Sequence, residues 1–256
     1  MFFVTCIRIC VIGDKMYCYD SRIRFSECDE KNKLSIEALL NYFQDASTMQ
    51  SEDLGVGIDY LMERNLVWVL ASWQIEIKRW PALNERVIIG TLPHDFKGFL
   101  GSRNFVLKTQ EGEILAVANT LWTLLNFDSM KPAIPPGDML EKYPVEPRLD
   151  MDYSRRKIVV GTEGENREIV IVRKQHLDSN NHVNNAQYVS IAGDYLPENF
   201  VIGGLRVEYK KQAHLNDVLV PYVVQSGENV VVSLRDENGG VYVNAEFSPF
   251  LNVKNG

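Results

Sequence analysis

The sequence predicts an α+β protein in which one structural unit occurs twice. Three observations point there. Prolines crowd a stretch near the middle of the 256-residue chain, the segments on either side of it align, and each half reads strand, helix, antiparallel strands. Pro132, Pro135, Pro136, Pro144 and Pro147 fix φ and remove backbone donors, so this stretch reads as an extended linker. The expected organisation is an N-terminal unit at 16–130, a linker at 131–150 and a C-terminal unit at 151–252.

The elements follow in order. Ser35 stands as an N-cap before Ile36, Leu39, Leu40 and Phe43, an i, i+3, i+4, i+7 stripe that predicts a helix. From Trp73 to Glu85 apolar and polar residues alternate into a polar turn, which predicts a strand. Further strands are expected at Val87–Thr91, Leu100–Lys108 and Ile114–Leu125, the last two joined around Gln110-Glu-Gly-Glu113. After the linker, Asn184 precedes Tyr188, Ile191, Ala192 and Tyr195 at helical spacing, and Pro197 stops that helix. Leu205–Asp217 repeats Trp73–Glu85, with Glu76/Glu208, Lys78/Lys210, Leu83/Leu215 and Asn84/Asn216 identical. Strands at Val218–Val224, Asn229–Arg235 and Val241–Pro249 complete the copy, the last pair joined by the hairpin signal Asp236-Glu-Asn-Gly-Gly240. Each copy is thus expected to be a helix wrapped by a curved antiparallel sheet.

Composition excludes several classes. With 45% hydrophobic and 24% charged residues the chain is neither disordered nor coiled coil. No apolar run reaches the ~20 residues of a membrane span. A net charge of −7, from 27 basic and 34 acidic residues, gives no support for nucleic-acid binding. Cys6, Cys10, Cys18 and Cys28 lie together and without nearby histidine, so neither a disulfide framework nor a zinc site is expected. They read as free thiols in a cytoplasmic protein. Met1–Gly13 carries Arg8 and lacks a basic start and a cleavage site, which argues against a signal peptide.

One segment stands out for chemistry. Leu177-Asp-Ser-Asn-Asn-His-Val-Asn-Asn185 places Asp178, Asn180 and His182 at alternate positions before a helix. In an extended segment their side chains would share one side, beside a helix N-terminus that favours developing negative charge. A carboxylate can take a proton from water, an amide can orient that water, and an imidazole can do either task. An Asn-rich turn capping the helix accounts for the same residues. Comparison of the copies sets Asp178 against Asp29, Asn180 against Lys31, His182 against Lys33 and Asn184 against Ser35. Only the second copy keeps the polar cluster, which implies one active site per chain. Of the other histidines, His94 and His214 read as surface residues, and His176 shares the expected face of Asp178.

The Asp-x-Asn-x-His-Val-Asn-Asn string, followed by the strand Glu208-Tyr-Lys-Lys211, resembles the acyl-acyl carrier protein (ACP) thioesterases. That resemblance covers roughly residues 20–250 and implies two tandem hotdog units forming an intrachain pseudo-dimer. It implies hydrolysis of fatty acyl-ACP, with the carrier protein and the acyl chain as partners and neither cofactor nor metal. Asp178, Asn180 and His182 match the family's catalytic residues. Where the family commonly has Glu followed by Cys, this chain has Gln212 and Ala213, so no thiol nucleophile is available there. Gln212 can hold a water but cannot take its proton at neutral pH. Asp178 is then the base, or the nucleophile. The resemblance also places the acyl chain in the first unit, where Trp68, Trp73, Trp80 and Trp122 and the insertion Gly55–Glu63 lie. Competing readings are an acyl-CoA thioesterase, a hotdog enoyl hydratase and a non-catalytic acyl-thioester binder. Basic clusters at Arg155–Lys157, Arg173-Lys174 and Lys210-Lys211 could steer an acidic carrier, and the sequence leaves a homodimer open.

Overall fold

The computed structural model describes residues 16–250. They fall into two compact units, one reaching to Leu70 and including Arg79–Met151, the other made of Ala71–Lys78 and the residues from Asp152 onward.

The first unit contains β1 (Tyr17–Arg22), a 3-10 turn (Phe25–Glu27), α1 (Ile36–Asp53), α2 (Ile58–Glu63), the start of β2 (Leu66–Ile77), β3 (Arg86–Lys97), β4 (Leu100–Thr109), β5 (Ile114–Asn126) and α3 (Gly137–Lys142). Strands β1, β3, β4 and β5 pair antiparallel in that order. Ser35 caps α1 as its sequence requires, its Oγ accepting from the Ala38 N–H at 3.2 Å. The stripe Leu39, Leu40, Phe43 and Ala46 is buried, with the Phe43 ring 5.2 Å from Phe105 of β4.

The proline-rich stretch departs from an extended linker. Pro136 opens α3, and Met139 and Tyr143 are buried in a cluster with Val56 and Leu124. Further on, the Leu149 N–H donates to Asn104 Oδ1 at 3.0 Å. The prolines break regular structure, but the apolar residues between them have a surface to cover, and proline suits the start of a helix.

The second unit contains the continuation of β2 from Ala71, β6 (Glu165–Asn166), β7 (Val170–Ile171), a 3-10 turn (Lys174–His176), α4 (Asn185–Gly193), β8 (Ile202–Tyr209), β9 (Val218–Ser226), β10 (Asn229–Arg235) and β11 (Val241–Pro249). Its strand order is β2-β8-β11-β10-β9, all antiparallel, with β6 and β7 both on β9. Asn184 caps α4, its Oδ1 accepting from the Ala186 N–H at 2.8 Å. Tyr188, Val189, Ile191 and Ala192 form the buried face, and α4 packs on β10 and β11. The Asp236–Gly240 hairpin closes on Asp236 Oδ1, which accepts from Asn238 N–H at 3.0 Å and Gly240 N–H at 2.7 Å.

One cysteine expectation needs correction. Cys28 is a free thiol, but Cys18 is disulfide-bonded. The number and spacing of cysteines do not set the redox state of a thiol, which follows the compartment. Cys6 and Cys10, and the Met1–Gly13 stretch read as lacking a signal peptide, lie outside the described residues. No helix among the described residues is long and apolar enough to cross a membrane.

Candidate active site

The segment from Leu177 to Val183 does not run extended. Leu177 and Val183 pair as an antiparallel bridge and the chain turns between them. Asp178 Oδ1 accepts the backbone N–H of Asn180 at 2.8 Å and of His182 at 3.3 Å. The Asp178 N–H donates to the His182 carbonyl at 2.8 Å. Asn181 takes φ of +59°, the left-handed region that asparagine tolerates better than most residues. Asp178, Asn180 and His182 therefore do not alternate along one side of a strand. A carboxylate two residues before a free N–H is a closer partner than any neighbouring strand, so the backbone folds around it.

The first unit contains the same turn. Cys28 and Leu34 form the bridge, and Asn32 has φ of +57°. Asp29 Oδ1 accepts from Lys31 N–H at 2.9 Å and Lys33 N–H at 2.8 Å. Upstream, the Arg24 N–H donates to Glu27 Oε2 at 2.8 Å, and the Arg173 N–H to His176 Nδ1 at 3.1 Å. His176 thus caps a 3-10 turn rather than facing the site with Asp178. Downstream, the Leu34 N–H donates to the Pro81 carbonyl and the Val183 N–H to the Ala213 carbonyl, both at 3.0 Å. The Ala82 N–H meets Glu85 Oε2, and the His214 N–H meets Asp217 Oδ2, both at 2.9 Å. Loss of the polar cluster from the first copy is therefore incomplete. Its aspartate remains and makes the same backbone bonds.

What the second copy adds is side-chain chemistry. Asn180 replaces Lys31, His182 replaces Lys33, and His214 replaces Ala82. The His182 and His214 rings meet edge-on with centroids 4.7 Å apart. Burial lowers the His182 pKa first, the neighbouring His214 lowers it further, and Asp178 opposes both. Among the described residues neither ring makes a hydrogen bond, and the side chains of Asn180 and Gln212 are equally unspent. Gln212 is exposed in the loop after β8, two residues before His214, and is not bonded to the other three.

Two tyrosines hold this loop to the helix. Tyr188 Oη accepts the Ala213 N–H at 2.7 Å, and Tyr209 Oη donates to the Asn185 carbonyl at 3.0 Å. Leu39 and Ile77 hold the matching places in the first copy and can do neither. Sequence reasoning set His214 aside as a surface residue. It is exposed, but it touches His182, and the signal available was the histidine aligned with Ala82. His94, by contrast, is not a surface residue: it is half-buried with Nε2 2.9 Å from Asn119 Oδ1 of β5.

The residues expected to line an acyl pocket are dispersed. Trp68 joins Phe96, at 6.3 Å, in the cluster around Val56 and Leu124. Trp73 is buried in the second unit, and Trp122 Nε1 donates to Thr120 Oγ1 at 2.9 Å. Ile58 and Met62 of the insertion are exposed. Arg103 is buried in the first unit against Gln50 and Thr91, and burial pushes its guanidinium down to about 10.

Residues 14–143 match the model of the acyl-ACP thioesterase N-terminal domain, and 161–245 that of its C-terminal domain. An acyl-[acyl-carrier-protein] hydrolase of Cuphea viscosissima, chloroplastic, is 27% identical over 213 residues, covering 77% of this chain and 52% of the relative. An oleoyl-acyl carrier protein thioesterase of Arabidopsis thaliana, also chloroplastic, is 25% identical over 240 residues, covering 85% of this chain and 65% of the relative. The chain thus spans between about half and two-thirds of the length of these curated relatives. The crystal structure of an acyl-ACP thioesterase from Bacteroides thetaiotaomicron superposes with a TM-score of 0.84 at 20% identity, covering 91% of this chain and 97% of that one. A 12:0-ACP thioesterase from Umbellularia californica gives 0.80 at 21%, covering 91% and 96%. At these identities the structures speak for the fold, two tandem hotdog units.

Proposed function

The chain belongs to the acyl-ACP thioesterase family, and from that premise we propose that it hydrolyses fatty acyl-ACP, releasing free fatty acid in the cytoplasm. One observation carries this reading beyond family membership. Two turns with the same backbone bonds differ in that only the second presents an amide and imidazoles whose hydrogen-bonding capacity is unspent, at the start of a helix. A turn whose only task was to cap would not need them.

In the proposed mechanism Asp178 uses Oδ2, since Oδ1 is engaged by the turn, to take a proton from water held by Asn180 and Gln212. General base catalysis of this kind supplies about 10²–10⁴-fold. The water oxygen adds to the thioester carbonyl, and the oxyanion lies against His182, a donor of this kind contributing about 10²–10³-fold. Collapse expels the carrier's thiol. The acyl chain is assigned to the first unit, so Trp68→Ala should change chain-length preference more than turnover.

The deciding experiment is release of free thiol from acyl-ACPs and acyl-CoAs of varied chain length. Hydrolysis of the ACP esters in preference to the CoA esters supports the reading. Preference for CoA reassigns the carrier, and no release from either overturns the activity.

A further inference from the structure

We propose that His214 is the general acid that protonates the departing sulfur, leaving His182 to hold the oxyanion. This rests on the thioesterase reading. Hydrolysis asks two things of the donors around the thioester: a hydrogen bond to the carbonyl oxygen as it becomes negative, and a proton for the thiolate as the C–S bond breaks. One imidazole serves both only by changing partners within a turnover. Here two stand side by side with unspent nitrogens.

Their settings assign the tasks. His182 sits half-buried inside the turn, in contact with a second imidazole. That setting favours the neutral ring, which donates one N–H and is a poor proton source. His214 lies on the exposed loop after β8, where a proton lost to the leaving group returns directly from solvent. A thiol attached to a bulky carrier also leaves toward solvent, past the more exposed ring. Asp178 on the turn acts on the His182 ring, and Asp217 Oδ2 accepts the backbone N–H of His214 and the Tyr242 hydroxyl.

The balance closes. Water forms the new C–O bond and gives a proton to Asp178. The C–S bond breaks with its electron pair on sulfur, which takes the proton of His214. Asp178 then returns its proton to solvent and His214 regains one.

The copy comparison supplies a variant suited to the test. His214→Ala installs the residue that the first unit carries at Ala82, where the backbone N–H still meets its carboxylate. Wild type and variant are compared on decanoyl and palmitoyl thioesters of N-acetylcysteamine, a poor leaving group, and of para-nitrothiophenol, which departs without an acid. Loss of at least about 10²-fold in kcat/KM on the alkyl thioesters is expected, with a loss at least tenfold smaller on the aryl thioesters. Equal losses on both, or none on either, overturn the assignment, because a structural role does not depend on the leaving group. Thermal melting checks the fold, and His214→Gln replaces the alanine variant if that one does not fold. A wild type inactive on all four esters and on the acyl-ACPs and acyl-CoAs overturns the thioesterase reading itself, and one active only on the carrier-bound esters overturns the assignment of His214 if His214→Ala keeps full activity on them.

Discussion

The turn at Asp29 and the turn at Asp178 are built by the same bonds. Each closes on a carboxylate oxygen accepting two backbone N–H groups, each places asparagine in the left-handed region, and each delivers a capped helix. Yet Lys31, Lys33 and Ala82 surround the first, and Asn180, His182 and His214 the second. The difference separates two roles that one residue can hide. An aspartate in this position explains a turn wherever it occurs, so its presence in Asp178 does not by itself mark a catalyst. In the mechanism proposed above, the chemistry falls to the residues that change while the backbone stays.

The comparison can be broken most directly at the carboxylates. Asparagine keeps an oxygen that accepts the turn's N–H groups but takes no proton at neutral pH. Asp178→Asn should therefore lower kcat/KM at least about 10²-fold, while Asp29→Asn should leave it within about twofold, the loss expected of a mere turn residue. Retention of more than a tenth of the activity by Asp178→Asn would remove the base from the mechanism.

Alanine tests the shared half of the comparison. Asp29→Ala and Asp178→Ala each strand two N–H groups, and each should cost roughly 1–3 kcal/mol in denaturant unfolding. Unequal costs would mean the turns are not equivalent supports. A smaller shared effect should come from Asn32→Ala and Asn181→Ala. Alanine is strained at positive φ, so each should lose about 1 kcal/mol, with Gly in either place losing less.

The smallest effect distinguishes the copies by pH. The His182 pKa lies below its ordinary 6.5 in the folded chain, so the unfolded chain binds this proton more readily as pH falls. The stability involved is fully present above 6.5 and is lost as pH drops toward the lowered folded value. His182→Asn should accordingly reduce the fall in Tm between about pH 7.5 and pH 5, and an unchanged fall would refute the assignment.

Much of this was legible in the sequence. Ser35 and Asn184 announce their caps, the stripes around Phe43 and Tyr188 give the buried faces, and the strand copies align in the sequence itself. Local pattern suffices there, because caps and amphipathic faces depend on neighbours within a few residues. The shape of 178–182 was misjudged, since alternation in sequence cannot say whether a carboxylate will turn back on its own backbone. His214 escaped because its contact with His182 requires β8 to return beside α4. That is a tertiary fact, fixed by Tyr188 and Ala213.

The bridge between Leu177 and Val183 has a thermodynamic consequence. Fixing a residue's backbone costs roughly 1–2 kcal/mol of conformational entropy. The segment it encloses is already held by the Asp178 carboxylate, the bridge and the tyrosine contact on Ala213 before any substrate arrives. That ordering is completed during folding, so an arriving thioester meets a preorganised loop and its binding energy is not drawn down to order one.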